Sequence, residues 1–460
     1  MFNVELLNTF QSEFNFSSKI ISLSTDSRSY SSEGLFICLA GENFDGFSFV
    51  EQVLIKNCKI IVFKNSKANL SKRDILFKKY SDVSFISTND PLELLQSLAK
   101  KRIDQFKEEG HSVFAITGSN GKTTTKEMLF KLLQSVFKEE VFATKGNLNN
   151  HIGVPLTILS APIECTKLIV EMGSNHLGEL ALLCEIAKPE FGIISNVGAA
   201  HIGLFGSLDN IFKEKKSLYD YVLLNKTVKS KFVINNNDDF LSKIPSGEVL
   251  TKFGNVDSDY SLEFETNGFS FIFKEKEVVI KNVNIFEKYN LENLASALIL
   301  CLDLFPEKVN DFVTSANSYQ IPALNRSEWL EVGGKEIFLD AYNANPTSMT
   351  SSLNSFKSNL ERKQISMSDS LFILGDMNEL GDYTQAEHKK IGTLLSSIGA
   401  EKVCFVGQYA KYYKEGFPAG ETFPTKSSLE EKWPTLSQNH KVIFIKASRS
   451  LQLESLVDIT

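Results

Sequence analysis

The chain has 460 residues, which at roughly 150 per domain points to about three domains. With 42% hydrophobic and 23% charged residues it falls in the globular range, and wholesale disorder is excluded. A net charge of -7 argues against nucleic acid as a partner, because a phosphate backbone selects for basic surfaces.

Other global features narrow the class. Only six of the 49 basic residues are Arg, so an Arg inside a motif carries information. The longest apolar stretch, around Leu294 to Leu302, is far short of the ~18 residues of a membrane span. The first residues, with Asn3 and Glu5, lack the basic and apolar segments of a secretory signal. Cys38, Cys58, Cys165, Cys184, Cys301 and Cys404 are scattered and never form CxxC, so they read as small core hydrophobes in a reducing compartment. A cytoplasmic protein without membrane insertion is expected.

No proline occurs before Pro91, and residues 1–90 hold short β-rich runs at Lys19–Leu23, Gly34–Leu39, Lys59–Phe63 and Val83–Ile86. The Lys/Ser-rich patch near 64–80 reads as a loop or surface helix. Asn89-Asp90-Pro91 is a turn or helix-start signal. From Val113 strands alternate with helices: 113–117, 167–172, 191–197 and 231–235 are β-branched or apolar runs. Between them Met128, Leu129, Leu132, Leu133, Val136 and Phe137 form one helical stripe. After Ile321-Pro322 a second alternation begins, with strands at 336–342, 371–376, 402–407 and 441–447. The expected fold is α/β in three domains: a small α/β domain (1–90), a central domain on a mostly parallel sheet (91–320), and a Rossmann-like domain (321–460).

The string ITGSNGKTTT (116–125) lies between a strand and a helix. Gly118 and Gly121 allow the backbone to wrap so that the N–H groups of Ser119, Asn120 and their neighbours face phosphate oxygens, and the helix N-terminus adds positive potential. Lys122 would pair with the β/γ-phosphates, the Thr123 hydroxyl would hold Mg²⁺, and Thr124 follows on the same turn. The loop is one step off the standard P-loop, because Ile116 stands where the first glycine would fall. A GTPase switch would want NKxD, and Asn225-Lys226-Thr227-Val228 lacks the aspartate. A small-molecule kinase would rarely need three domains.

The loop T-G-S-N-G-K-T-T resembles that of the Mur ligases, the ATP-dependent amide-forming enzymes of peptidoglycan precursor assembly. KGNLNNHIGVP (145–155), EMGSNHLGEL (171–180), AAHIGLFGSL (199–208), DAYNANPTSM (340–349) and GDMNELG (375–381) narrow the likeness to the members that add D-alanyl-D-alanine. It runs from about Ser24 to about Glu454, in order. The resemblance implies a monomeric ligase that takes UDP-MurNAc-tripeptide, D-alanyl-D-alanine and ATP through an acyl phosphate. By its pattern Thr123 and Glu171 hold one Mg²⁺, and His201 with a carbamate on Lys215 holds a second. Asn290, Asn293, Arg326 and Asp340 would hold ATP on the base, ribose and phosphate side. Ser27, Arg28, Asn43 and Asp45 resemble the uridine-nucleotide signature. Asn147, Asn149 and Asn150 would meet the muramoyl-peptide, and Tyr342, Asn343, Asn345 and Asp376 the dipeptide; Asn345-Pro346 also reads as an N-cap. Lys446-Ala447-Ser448-Arg449 matches a family K-G-S-R string and reads as structural. The pattern also departs at Glu287 and Tyr289, where the family usually has Gly and His, and at Ala40, Phe47 and Ser217.

Lys215 stands out on helical phase as well. At about 100° per residue from Leu208 it falls at about -20°, inside the stripe of Ile211, Phe212, Leu218, Tyr219 and Val222, whereas Lys213 and Glu214 point away. An amine held there has its charged form disfavoured, and a neutral amine reacts with CO₂. Two rivals remain: a Mur ligase that adds a single amino acid, against which GNLNNHIGVP and DAYNANP argue, and an ATP-binding switch or scaffold that forms no amide. Folylpolyglutamate synthase shares the loop chemistry but would not need the N-terminal domain.

Overall fold

The computed structural model describes residues 22–31, 34–41, 44–255, 257–322 and 326–460. The first sheet has four parallel strands in the order Ser22–Ser24, Gly34–Ile37, Ile60–Lys64, Ser84–Thr88. Most of the run expected at 19–23, together with Asn43, lies outside the described residues. The Lys/Ser-rich patch is a helix, Lys67–Lys79, whose N-cap Ser66 accepts a bond from the Asn69 amide.

Asp90 caps the helix Pro91–Glu108, accepting from the amides of Leu92 (2.8 Å) and Glu93 (3.3 Å), and Pro91 fills the first turn where no donor is needed. Leu94, Leu95, Leu98, Ile103 and Phe106 of this helix share one apolar cluster with Leu35, Ile37 and Val62 of the first sheet. Val113 and Leu168 of the next sheet belong to the same cluster, so the chain crosses near residue 90 through packed core rather than a loose tether.

The central sheet has seven strands, all parallel, in the order Tyr260–Ser261, Leu250–Gly254, Lys231–Asn235, Phe191–Ile194, Ser112–Thr117, Lys167–Glu171, Val141–Ala143. Helix Lys122–Phe137 buries Met128, Leu129, Leu132 and Leu133 against one face beside helix Lys288–Leu304, as the stripe predicted. The other face is covered by helices including Glu179–Ala187 and Leu208–Leu224. The chain reverses direction in the sheet at Ser112–Thr117, whose neighbours are Lys167–Glu171 on one side and Phe191–Ile194 on the other. Open α/β sheets place ligands at the carboxyl ends of such strands. An antiparallel three-stranded sheet (Glu263–Glu265, Gly268–Phe273, Lys276–Lys281) was not foreseen. Its alternation is masked because Phe269, Phe271 and Phe273 share a face with partly polar flanks.

The third sheet follows the order Glu328–Val332, Lys335–Asp340, Val442–Lys446, Ser370–Gly375, Lys402–Val406, Glu421–Phe423, and is parallel except for its first strand. That strand folds back through Gly333-Gly334, both at positive φ (57° and 75°) as a tight hairpin turn requires. The last strand in chain order, 442–446, lies beside 335–340 and sets Asp340 opposite Lys446. The six cysteines are free and buried. Among the described residues no helix is long and apolar enough to cross a membrane.

Candidate active site

The strand Ser112–Thr117 runs directly into the glycine loop. Gly118 (φ 145°) and Gly121 (φ 78°) adopt backbone that side chains resist. A Cβ on Gly118 would meet Ser195 Oγ at 2.1 Å, and one on Gly121 would meet Asn293 Oδ1 at 2.8 Å. The loop is clamped by the strand-end segment after Ile194. Asn196 accepts from the Asn120 amide (2.9 Å) and donates its side-chain amide to Asn120 O (3.0 Å), while Ser119 Oγ bonds Gly198 (2.9 Å). Lys122 donates to Gly118 O (2.8 Å) and Ser119 O (3.1 Å). Desolvation brings its pKa down to about 8, with the Glu171 charge opposing and the Arg326 charge assisting.

Glu171 ends its strand directly beside Ile116. It is 1% exposed, and its Oε1 accepts from Thr123 Oγ1 (3.2 Å) and Asn149 Nδ2 (2.8 Å). Its Oε2 is buried with no partner. An ionised carboxylate oxygen left bare in a protein interior is costly unless a cation faces it. With a hydroxyl beside it at the first turn of a helix, this donor set fits a hard divalent cation. His201, at φ 56°, caps the short helix Ile202–Phe205 and pairs through Nδ1 with the Glu379 carboxylate, which holds that carboxyl below its usual range.

Lys215 is 3% exposed on helix Leu208–Leu224 and donates to Ser174 Oγ at 2.8 Å. Burial, and then the nearby Lys122 charge, lower its pKa to about 7. Glu214, which helical phase points away from the apolar stripe, is buried. Its carboxylate accepts from the amides of Gly178 and Leu180, both at 2.7 Å, at the start of helix Glu179–Ala187. Those free amides stabilise an anion in the core, an attraction that apolar periodicity does not register.

From the third sheet Asp340 Oδ2 accepts from Lys446 Nζ (2.5 Å) and Ser352 Oγ (2.7 Å). The Arg326 guanidinium lies over the Tyr342 ring at 3.9 Å, and the Tyr289 hydroxyl bonds Ser327 Oγ (2.6 Å). A cleft of about 410 Å³ unites these segments. Ser119 to Thr124, Asn147, Asn149, Asn150, Glu171 and His201 line it, together with Asn290, Asn293, Arg326, Asp340, Tyr342 and Asn343. Lys215 is not on its wall but stands behind Ser174, which is.

Some expected residues are engaged elsewhere. Asp376 stands off the cleft wall, and its carboxylate accepts from the amides of Gln408 and Tyr409, both at 3.0 Å. Asn345 is the N-cap of helix Pro346–Lys363 and also donates to Asn120 Oδ1 (2.7 Å), tying the third unit to the glycine loop. Ser27 bonds Gln52 (2.8 Å), Arg28 pairs with Asp26 on the surface, and Asp45 caps a turn at Phe47 (2.9 Å). These three sit on the first unit, away from the cleft wall. Nothing in the sequence singles out Ser174, Asn196 or Glu379, and Lys446, in a string that reads as structural, lines the cleft with Ser174 and Asn196. For Lys446 a signal existed: a lysine closing an apolar run is a candidate for a buried partner.

Residues 116–301 match the model of the Mur ligase middle domain, and residues 325–449 that of the Mur ligase glutamate ligase domain. A curated relative in Bacillus subtilis, UDP-N-acetylmuramoyl-tripeptide–D-alanyl-D-alanine ligase, is 31% identical over 95% of this chain and 92% of its own. This chain belongs to the Mur ligase family. A relative of the same name in Rickettsia prowazekii is 29% identical over 92% of this chain and 91% of its own. A crystal structure of MurF from Acinetobacter baumannii superposes with a TM-score of 0.83 at 26% identity, covering 100% of this chain and 98% of that one. The fold is shared with MurF of Thermotoga maritima, solved in complex with ADP (TM-score 0.76, 24% identity, 95% and 96% coverage). The Mur ligase thus presents a cleft to which the seven-stranded and six-stranded sheets both contribute.

Proposed function

We propose that this Mur ligase joins D-alanyl-D-alanine to UDP-N-acetylmuramoyl-tripeptide, converting ATP to ADP and phosphate. The observation that carries the reading is the single cleft in which Lys122, Glu171 and His201 of the central unit face Arg326, Asp340 and Tyr342 of the third. A substrate carboxylate oxygen attacks the γ-phosphorus and ADP leaves. The amine nitrogen of the dipeptide then attacks the acyl carbon, the C–N bond forms, the C–O bond to phosphate breaks, and the amine loses a proton. Both steps bring anions or a nucleophile to a crowded centre, so positioning and positive charge dominate.

In this reading the amides of residues 118–124 and Lys122 cradle the β/γ-phosphates, and Asn290, Asn293, Arg326 and Asp340 hold the base, ribose and phosphate side of ATP. Thr123 and Glu171 would hold one Mg²⁺, and His201 with a carbamate on Lys215 a second, neutralising the charge that builds on the transferring phosphoryl group. Asn147, Asn149 and Asn150 meet the muramoyl-peptide, Tyr342 and Asn343 approach the dipeptide, and Asn345 steadies their loop through its cap. Ser27, Arg28, Asn43 and Asp45 receive the uridine nucleotide. Units divide near residues 90 and 320. One chain supplies the whole cleft, in keeping with a cytoplasmic monomer that draws on soluble nucleotides.

The test is phosphate release with each substrate omitted in turn. Release is expected only with ATP, the tripeptide nucleotide and D-alanyl-D-alanine together, and not with D-alanine or L-amino acids. Release from ATP alone at the same rate would leave an ATPase or switch instead.

A further inference from the structure

The loop that follows strand Ser370–Gly375 is fastened to the turn that carries His201. The Gly203 amide donates to Glu379 O (3.0 Å), and the Tyr383 hydroxyl donates to Gly206 O (2.8 Å). Gly203 lies so close that a Cβ there would meet Gly381 N at 2.4 Å. The Glu379 carboxylate pairs with His201 Nδ1. On its own side the loop is held from behind: the Met377 amide donates to His388 Nε2 (3.1 Å), and the Asn378 amide donates to Ser448 Oγ (3.1 Å). The loop is therefore a preset surface rather than a segment that adapts to the turn.

An imidazole whose Nδ1 lies against a carboxylate, as His201 lies against Glu379, is oriented by that charge, and Nε2 is the nitrogen left for a ligand. His201 lines the cleft, so that remaining nitrogen is the one available there. We propose that Glu379 is a positioning residue that orients His201 across the boundary between the third and central units, so that the second cation site is completed only when these units are docked. The inference rests on the reading of His201 as a cation ligand. It links substrate-driven docking to the chemistry: with the third unit displaced, His201 loses its orienting carboxylate, and ATP bound to the central unit faces an incomplete charge set.

Two readouts test it: the Mg²⁺ concentration for half-maximal phosphate release, and amide hydrogen exchange of residues 201–206 in protein without added metal. Glu379→Ala is expected to raise the Mg²⁺ requirement by about 10–100-fold, the span typical of a lost carboxylate behind a metal-bound histidine, and to speed the exchange. Glu379→Gln, which keeps an oxygen beside Nδ1 but loses the charge, falls between. Gly203→Ala drives the loop away without touching either side chain and should reproduce both effects. Tyr383→Phe, at a half-exposed position, speeds exchange mildly in a fold that stays intact. In a His201→Ala background Glu379→Ala should add nothing, because the two act as one unit. If Glu379→Ala leaves both readouts unchanged while His201→Ala raises the Mg²⁺ requirement, the inference fails and the ligand reading stands. If His201→Ala leaves the Mg²⁺ requirement unchanged, the ligand reading fails and takes the inference with it.

Discussion

The proposed carbamylation of Lys215 rests on where its amine is held. The side chain is 3% exposed, its Nζ donates to Ser174 Oγ at 2.8 Å, and the Phe205 ring lies 5.5 Å from it. Burial and then the Lys122 charge bring its pKa from 10.5 to about 7. At tenfold per pH unit this raises the neutral fraction near pH 7 from about one in 3,000 to about one half. A neutral amine attacks the carbon of CO₂, the new C–N bond forms, and one proton is released. The modified side chain becomes an anion at the spot where the unmodified one is an unwelcome cation. The sign with pH is fixed: between about 7 and 10.5 the unfolded chain binds a proton that the folded chain does not, so the neutral form gains as pH rises and is lost as pH falls through about 7. Enzyme prepared without CO₂ or bicarbonate, and the Lys215→Met variant, should lose about 100-fold or more of the rate, the equivalent of several kcal/mol of charge stabilisation at 1.36 kcal/mol per decade. Bicarbonate should restore the first and not the second. Native mass measurement should show one added CO₂ that disappears in Lys215→Met. Equal rates with and without CO₂, from enzyme of unmodified mass, would refute the reasoning.

Two further outcomes bear on the third unit. The Lys446 side chain is 1% exposed and its partner Asp340 12%, at 2.5 Å, so Lys446→Met strands a buried carboxylate and should destabilise by about 3–5 kcal/mol in urea unfolding. Adding Asp340→Asn should recover most of that, and a single-variant loss under about 1 kcal/mol would show that the pair is hydrated. His388 is fully buried, its Nε2 accepts from the Met377 amide and its Nδ1 faces Thr384 O at 2.6 Å. Desolvation lowers its pKa from 6.5 to about 4. Its depressed pKa means the unfolded chain takes up the proton first as pH falls, so stability present above about 6.5 is lost down to about 4, on the order of 3 kcal/mol. The pH dependence of unfolding should flatten over that window in His388→Gln; identical slopes would sink the assignment.

The parallel sheets and the glycine loop were legible because their signals are local. A buried parallel strand is a continuous apolar run, and a loop that wraps phosphate needs glycine at fixed offsets, as the positive φ of Gly118 and Gly121 bears out. Helical phase placed Lys215 inside, and it is inside. The same arithmetic failed for Glu214, whose burial is decided by two amides more than thirty residues away at Gly178 and Leu180. Distance works likewise at Asp376, expected only from the resemblance to approach the dipeptide: the amides of Gln408 and Tyr409, more than thirty residues away, hold its carboxylate.

What escaped the sequence is therefore pairing across distance, and it escaped for a reason that bears on catalysis. Asn120 with Asn345, His201 with Glu379, and Asp340 with Lys446 each join residues between 106 and 225 positions apart. No periodicity records such a pair, because neither partner needs the other to satisfy its own helix or strand. Asp340 and Lys446 do need each other to satisfy charges drawn away from water, whereas the half-exposed Glu379 matters for where it holds His201. Two of these pairs cross from the central unit to the third, so forming them is inseparable from docking the units. A ligase that must hold two anionic reactants together has use for that link, since its polar groups reach their working orientation only as the cleft is assembled.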